Sequence, residues 1–183
     1  MRIISGKAKG TKLYTLEGIE TRPTLDRVKE SIFNIIQNEI QGSTVLDLFA
    51  GSGAIGLEML SRGASKAILC DKSKEAIQII KKNIEKTHME QYVELYNLDY
   101  ENTLDKIQKY KFDIIFLDPP YNTDYISKSL RKIIEFKLLN EEGLIILETD
   151  DEKRVLKEIE NIKVKIVDTR KYGRATIIFL REA

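Results

Sequence analysis

The sequence predicts an α/β fold in which parallel strands form one sheet and helices cover both of its faces. From residue 44 onward, strand-like apolar runs alternate with helix-like stretches. These runs contain little polar alternation, as expected when both faces of a sheet are buried. After about residue 162, two strand-like runs lie too close together for a helical crossover. They should therefore form an antiparallel hairpin at the carboxyl end.

The first 23 residues are predicted to form a basic hairpin appendage that precedes the sheet. They are punctuated by glycine, and four basic residues come before the first acid, Glu17. A helix is predicted from Thr24 through residue 40, because apolar side chains recur there at helical spacing. This helix would join the hairpin to the sheet. These four residues are Arg2, Lys7, Lys9 and Lys12.

The sheet strands and their covering helices can be assigned in order along the rest of the chain. In the second helix of this region, Ile77, Ile80 and Ile84 share one face, and Ser73 is the expected N-cap. The predicted strands are residues 43–49, 66–71, 92–98, 112–118, 143–149, 163–168 and 175–180. The predicted helices are residues 54–63, 73–86, 101–110 and 125–139.

Composition favours a single cytoplasmic domain. The chain has 183 residues, 42% of them hydrophobic, and 30 Lys and Arg nearly balance 29 Asp and Glu. Any basic surface for an acidic partner must therefore be local. The single cysteine, Cys70, has no disulfide partner. No signal sequence is visible, and no apolar run approaches the ~20 residues of a membrane span.

A glycine turn is the first candidate binding element. The segment VLDLFAGSGAIGLE places Gly51, Gly53 and Gly56 between a predicted strand and a predicted helix. This spacing allows a tight turn, a close approach of the backbone to a ligand, and close packing of the helix. It fits a dinucleotide site as well, and a turn that serves packing alone would look the same.

Acids near the carboxyl ends of three successive predicted strands favour a cationic ligand. Asp47 lies four residues before Gly51, where a carboxylate beside a pyrophosphate would gain nothing. Asp71 can accept hydrogen bonds from both ribose hydroxyls of a nucleoside, or cap the next helix. Asp99 ends the third strand, although its segment could equally be an ordinary turn. Adenosine joined to an amino acid through a sulfonium fits these acids better than a dinucleotide does.

The fourth predicted strand ends in Asp118, Pro119, Pro120 and Tyr121. The prolines leave the Pro119 carbonyl as a rigid acceptor beside the Asp118 carboxylate. Two acceptors on an exocyclic amine would make its nitrogen more nucleophilic, and the carboxylate would stabilise the positive charge that grows there. Tyr121 can stack on the base that carries the amine. No metal or covalent nucleophile is required, and the alternative is a strand that simply ends at two prolines.

These motifs resemble those of the amino-methylating S-adenosylmethionine-dependent methyltransferases. The segments RIISGKAKGTKL, TRPTLDRVKESIFNII, VLDLFAGSGAIGLEMLSRGA and FLDPPY are similar to the RsmD family, the 16S rRNA (guanine-N2) methyltransferases, over nearly the whole chain. The resemblance implies a Rossmann-like class I methyltransferase fold. Its sheet would have seven strands, mostly parallel, with an antiparallel strand from the C-terminal hairpin. It also implies S-adenosylmethionine as cofactor, S-adenosylhomocysteine as product, and no metal.

The resemblance assigns expected roles to individual residues. The residues that would position the target guanine are Asp118, Pro119, Pro120 and Tyr121. Those that would bind the cofactor are Asp47, Phe49, Ala50, Gly51, Ser52, Gly53, Asp71, Lys72, Asp99 and Tyr100. Candidate substrate contacts, each of which could equally be solvated surface or a helix start, are Arg2, Lys7, Lys9, Lys12, Arg22, Thr24 and Arg27.

The expected substrate is 16S rRNA within a small ribosomal subunit or an assembly intermediate, because a nearly neutral chain should bind bare RNA weakly. No DNA or membrane partner is expected. The D-P-P-Y motif does not by itself separate guanine N2 from adenine N6, cytosine N4 or a protein glutamine. From other classes, a nicotinamide-dependent oxidoreductase would leave Asp47 and this motif unexplained. A non-catalytic RNA-binding assembly factor would carry a degenerate site.

Overall fold

The computed structural model describes residues 1–16 and 23–183, with the side chains of residues 23–26 undescribed. A short 3-10 helix, Glu90–Tyr92, precedes the third strand. The helices are α1 (Pro23–Ile35), α2 (Gln37–Ile40), α3 (Ala54–Ser61), α4 (Lys74–Thr87), α5 (Tyr100–Lys106), α6 (Tyr125–Glu135) and α7 (Glu152–Ile159). The strands are β1 (Thr44–Asp47), β2 (Lys66–Cys70), β3 (Val93–Tyr96), β4 (Phe112–Leu117), β5 (Leu139–Thr149), β6 (Val164–Tyr172) and β7 (Ala175–Glu182).

These strands form one seven-stranded sheet with the order β3-β2-β1-β4-β5-β7-β6. Strands β1 to β5 run parallel, and β7 pairs antiparallel with both β5 and β6. The predicted Rossmann-like fold and C-terminal hairpin are confirmed. Because the chain goes from β1 to β2 on one side and returns to β4 on the other, a crevice opens at the carboxyl ends of β1 and β4. Acids at the strand exits therefore share one edge.

Helices cover both faces of the sheet, as the continuous apolar strands predicted. Ile114 and its neighbours on one face pack with buried side chains of α1, α3 and α4. Ile115 and its neighbours on the opposite face pack with α5, α6 and α7. The predicted apolar face of α4 is buried, and the Ser73 hydroxyl accepts a hydrogen bond from the backbone N–H of Ala76 at 3.3 Å. Within the described ranges, no helix is both long and apolar enough to cross a membrane.

The amino-terminal segment folds back on itself and packs on α3. Arg2 and Lys12 form an isolated antiparallel bridge, and Ile3 is fully buried in the core. Residues 17–22, which the predicted hairpin included, lie outside the described residues. The amino-terminal segment, residues 1–16, thus packs in the same core cluster as α3, the helix that follows the glycine turn.

Glu58 of α3 anchors this amino-terminal segment from inside the protein. Its side chain is fully buried, and its carboxylate accepts hydrogen bonds from the backbone N–H groups of Ile4 at 2.8 Å and Ser5 at 3.0 Å. Arg62 donates to the same carboxylate at 2.8 Å. A buried charge is tolerated here because it is both paired and hydrogen-bonded.

Several element boundaries differ from the predictions, and one helix was not predicted. The helix predicted from Thr24 is two helices, α1 and α2, separated at Ile36. The helix predicted for residues 125–139 ends at Glu135, because Lys137 adopts a left-handed conformation (φ 52°) that turns the chain into β5. Strand β5 therefore begins earlier than predicted. Helix α7 was not predicted.

Candidate active site

Three carboxylates line one cavity at the carboxyl edge of the sheet. Strands β1, β4 and β5 are neighbours, so the acids at their exits are brought together. Asp47, Asp118 and Glu148 contribute to a cavity of about 220 Å³. Thr15 and Leu16 of the amino-terminal segment also line it. The segment that was predicted to contact RNA thus forms part of the wall beside the D-P-P-Y motif.

Asp47 is nearly inaccessible, with 3% of its surface exposed. Its Oδ2 atom has no hydrogen-bond partner in the described part of the chain. Burial raises the pKa of this carboxyl from its ordinary value of 3.8 to about 7, with hydrogen bonds from the backbone of Gly56 and Phe49 opposing the rise and the charge of Asp71 adding to it. A cationic ligand would supply the missing partner and favour the ionised form.

Asp71 holds the glycine turn in shape. Its carboxylate accepts hydrogen bonds from the backbone N–H of Gly51 at 2.9 Å and of Ser73 at 2.8 Å. Gly51 has a φ of 56°, in the left-handed region that favours glycine. Ser73 caps the following helix, so Asp71 supports the cap residue and does not itself serve as the cap. Both oxygens keep further lone pairs for a ligand hydroxyl.

An aromatic cluster borders a second cavity of about 150 Å³ next to the first. The rings of Phe49 and Tyr125 are stacked with 6.3 Å between centroids, and those of Tyr100 and Tyr125 are 4.7 Å apart. Phe49 lines both cavities. A flat apolar ring is the ligand group that aromatic walls of this kind accommodate. The other lining residues are Leu48, Asp71, Lys72, Leu98, Asp99, Tyr100, Pro120 and Tyr125.

Asp99 lies in this second cavity but also serves as a helix cap. Its carboxylate accepts hydrogen bonds from the backbone N–H of Asn102 at 2.9 Å and from the Asn102 side-chain amide at 2.6 Å. These hydrogen bonds, the backbone one first, lower the pKa of Asp99. Asp99 is therefore ionised at neutral pH and has lone pairs left for a donor at the cavity.

The D-P-P-Y motif connects the two cavities. Asp118 lines the first cavity and Pro120 lines the second. Burial raises the pKa of the Asp118 carboxyl well above its ordinary value, and the nearby acids Glu148 and Asp47 raise it further. Tyr121 is 48% exposed, as a side chain that stacks on an incoming base would be. Asp118, Pro120 and Tyr121 therefore face a cavity or solvent at the sheet edge, whereas Pro119 is buried and lines neither cavity.

The loop after this motif is held by a residue of the unpredicted helix α7. The Arg154 guanidinium donates to the carbonyl of Thr123 at 2.7 Å, and the Thr123 hydroxyl donates to the carbonyl of Pro120 at 2.8 Å. Asn122 completes the turn with a φ of 58°. Nothing in the motif itself points to Arg154.

Among the candidate substrate contacts, Lys7 lies away from the cavity. Lys7 donates its backbone N–H to the Ser61 carbonyl at the carboxyl end of α3. The cavity acids lie near the amino end of that helix, so roughly 12 Å, the length of an eight-residue helix, separates the two ends. Arg2, Lys9, Lys12 and Arg27 are exposed. Arg22 lies outside the described residues, and the side chain of Thr24 is also not described.

Two further site residues were missed by the sequence predictions. Glu148 is the penultimate residue of β5, the strand next to β4, and the rule that selected acids at the carboxyl ends of the first three strands would have selected it too. Asn83 accepts a hydrogen bond from the backbone N–H of Tyr14 at 2.7 Å and donates to the carbonyl of Ser52 at 2.9 Å. It thus ties the amino-terminal segment to the glycine turn. A single buried amide inside an amphipathic helix gives no comparable sequence signal.

The two cavities together could hold a nucleoside joined to a cationic amino acid. Asp47 offers an unpartnered carboxylate oxygen to a cation, Asp71 offers acceptors to hydroxyl groups, and the aromatic cluster offers a wall to a flat ring. In residues 1–16 and 27–183, no group of three or more His, Cys, Asp or Glu side chains is arranged to hold a metal ion.

Comparisons with known proteins agree with this architecture. Residues 1–181 match the family described as "Conserved hypothetical protein 95". YlbH of Bacillus subtilis is 44% identical over 154 residues, which cover 83% of this chain and 84% of that protein. A Haemophilus influenzae protein named "Ribosomal RNA small subunit methyltransferase D" is 37% identical over 159 residues, covering 85% and 82%. The solved structure of yhhF from Escherichia coli aligns with a TM-score of 0.85 at 29% identity, covering 100% of this chain and 97% of that one.

Proposed function

Because the chain belongs to the RsmD family, we propose that it methylates the exocyclic N2 amine of a guanine in small-subunit (16S) rRNA. The proposed cofactor is S-adenosylmethionine, and the transfer is a direct in-line displacement. The observation that carries the proposal is Asp118, in a D-P-P-Y motif, at the same cavity as the unpartnered carboxylate of Asp47. The name of the Haemophilus influenzae relative supports rRNA as the substrate.

Residues of the two cavities match the amino acid, ribose and adenine parts of the cofactor in turn. Asp47 would face its cationic amino acid part, because a buried carboxylate without a partner is stabilised by a positive charge. Asp71 would accept hydrogen bonds from the ribose, and the aromatic cluster around Phe49 would contact the adenine. When bound, the cofactor supplies a methyl group on a positively charged sulfur, which keeps the bonding electrons when the methyl group leaves.

Asp118 and the Pro119 carbonyl would hold the two protons of the guanine amine. This arrangement keeps the nitrogen lone pair directed at the methyl carbon and stabilises the positive charge that develops on the nitrogen. Once the N–C bond has formed, the nitrogen gives up one proton, and the Asp118 carboxylate can accept it. Fixing both reactants in one geometry can contribute ~7 to 11 kcal/mol over free collision. The target base must be unpaired or extruded, since N2 lies on the Watson–Crick edge.

Asp118→Ala tests this assignment directly. The purified protein is offered unmodified small subunits, naked 16S rRNA, DNA and protein, each with labelled S-adenosylmethionine. We expect label in the small subunits, and a loss of at least about 100-fold in the variant, which removes the electrostatic term. S-adenosylhomocysteine should still raise the melting temperature of the variant, whereas NAD should raise that of neither protein.

Asp124→Ala is the matched control, because Asp124 is an exposed acid in the same loop. It should keep wild-type turnover. Full activity in Asp118→Ala would contradict the catalytic assignment. Label in DNA or protein alone would contradict the rRNA assignment.

A further inference from the structure

Glu148 lines the same cavity as Asp118, and the chemistry proposed above gives it no part. Leu147 pairs with Leu117 in the parallel register, so the next residues are Glu148 within β5 and Asp118 directly after β4. Such strands lie about 4.8 Å apart, and residues at matching positions point to the same face. The two carboxylates are therefore neighbours on one wall of the cavity.

In the part of the chain that the structure describes, no group donates a hydrogen bond to the Glu148 carboxylate. Its antiparallel neighbour in β7 is Ile177, which is fully buried. Lys29 also lines the cavity, and its ammonium lies 3.3 Å from the carbonyl of Arg2 and 3.6 Å from the carboxylate of Glu58. Burial raises the pKa of the Glu148 carboxyl, and no hydrogen bond from a described group opposes the rise. A half-buried acceptor of this kind is stabilised when a ligand donates to it.

Two neighbouring carboxylates suit a ligand edge that carries two neighbouring donors. Guanine presents N1–H next to its N2 amine on the Watson–Crick edge. Adenine and cytosine present an acceptor nitrogen next to their amine. If either base entered with its amine at Asp118, that acceptor nitrogen would face the Glu148 carboxylate without a proton between them, and both groups would stay unpaired.

We propose that the Glu148 carboxylate accepts a hydrogen bond from N1–H of the target guanine, while Asp118 and the Pro119 carbonyl accept hydrogen bonds from its N2 amine. Glu148 then determines specificity, because it admits guanine and excludes adenine and cytosine. The inference rests on the proposed function, since it concerns the same base in the same cavity. Sites built around a hydrogen bond reject analogues that lack it by large factors. For one half-buried contact we expect about 100-fold.

The test replaces the target base with one that keeps the amine and loses the N1 proton. Small subunits are reconstituted with 16S rRNA in which the modified guanosine is 2-aminopurine riboside, and native subunits are run in parallel. Wild-type kcat/KM should be at least about 100-fold lower on the 2-aminopurine subunit. In Glu148→Gln, the amide can donate to the acceptor nitrogen of 2-aminopurine. The ratio of kcat/KM on native subunits to kcat/KM on 2-aminopurine subunits should therefore fall at least about tenfold.

Asp150→Asn is the matched control, because Asp150 is an exposed acid two residues further along the chain. It should keep the wild-type ratio. Glu148→Ala is the second variant, and it should also lower the ratio, because it removes the carboxylate that opposes 2-aminopurine. Thermal shifts with S-adenosylhomocysteine verify that both Glu148 variants are folded.

A purely structural role for Glu148 would slow both substrates equally. An unchanged ratio in both variants, with native subunits still methylated by the wild type, would overturn the inference and leave the proposed function intact. Absence of N2-methylguanosine in native subunits treated with wild-type protein would overturn the proposed function, and the inference with it.

Discussion

At the scale of single residues, the site contains buried carboxyl groups that lower the stability of the ligand-free protein. Asp47 is almost fully buried with one oxygen unpartnered, and the pKa of Asp118 is raised by burial and by two nearby acids. Buried carboxyl groups with raised pKa values mark functional sites when they line a cavity, because packing alone would select apolar side chains there. The missing stabilisation would come from bound ligands.

Asp47→Asn should make the ligand-free protein more stable at high pH. The pKa of Asp47 is about 7 in the folded protein and ordinarily 3.8, so between these values the folded state binds a proton that the unfolded state has lost. The free energy of unfolding therefore falls as pH rises from about 4 to 7, and the full cost remains above pH 7. The substitution removes that cost, which is on the order of 2 to 4 kcal/mol.

Urea unfolding of the wild type and the variant at pH 4.5 and pH 8 measures the effect. The gain should be largest at pH 8 and small at pH 4.5. Asp71→Asn is the comparison, and it should destabilise, because the Asp71 carboxylate accepts two backbone N–H groups. An Asp47→Asn protein no more stable than the wild type at pH 8 would show that Asp47 carries no buried charge.

At the scale of elements, local sequence signals explain what could be predicted and what could not. Strands β1, β2, β4, β5 and β7 were predictable because each carries a nearly continuous apolar run, which burial on both faces requires. The edge strands β3 and β6 are half-buried or exposed, and their β-branched and aromatic residues gave the signal. Helix α7 was missed because its sequence EKRVLKEI is dominated by charge, and only Val155 and Ile159 are buried. The polar start of β5 was missed because its pairing partner, β4, and not its own composition, makes it a strand. Glu148 was overlooked because it lies near the end of the apolar run GLIILET.

Gly6→Ala should detach the amino-terminal segment from α3. A Cβ at Gly6 would lie 1.8 Å from the backbone carbonyl oxygen of Ser61, and φ there is +82°. Gly10 has a similar φ of +87°, but a Cβ would meet nothing within 4 Å. Both substitutions carry the left-handed strain of about 1 to 2 kcal/mol, whereas Gly6→Ala adds overpacking of about 1 to 3 kcal/mol.

Paired urea unfolding curves of the two alanine variants provide the measurement. The Gly6 variant should be less stable than the Gly10 variant, and it should also lose methyltransfer activity, because Thr15 and Leu16 of the same segment line the cavity. Equal stability of the two variants would mean that the segment is not held against Ser61.

At the scale of the whole molecule, one sheet edge gathers the chemistry, and the amino-terminal segment runs from this edge along α3 to the other end of that helix. Asn83 and Glu58 fix the segment at two points along the way. Lys7 and Lys9 therefore lie far from the cavity. A substrate that contacts both must extend well beyond one nucleotide, as a folded ribosomal subunit does.

Lys7→Ala/Lys9→Ala should weaken substrate binding without changing cofactor binding. Loss of two phosphate contacts should raise KM for the subunit about tenfold and make the salt dependence of log(kcat/KM) shallower by about 1 to 2. The double variant Lys163→Ala/Lys165→Ala removes two exposed lysines near the opposite edge of the sheet and should behave as the wild type. If log(kcat/KM) depends on salt with the same slope in the two double variants, RNA contact at the amino-terminal segment is excluded.

The identity of the methylated nucleoside tests the central claim most directly. Unmodified small subunits are incubated with the protein and labelled S-adenosylmethionine, the 16S rRNA is digested to nucleosides, and the label is assigned by chromatography and mass. Label in N2-methylguanosine from one position of the 16S rRNA is the predicted result. Label in any other nucleoside, or none in the rRNA, would contradict the claim that Asp118 and Pro119 present a guanine amine to the cofactor.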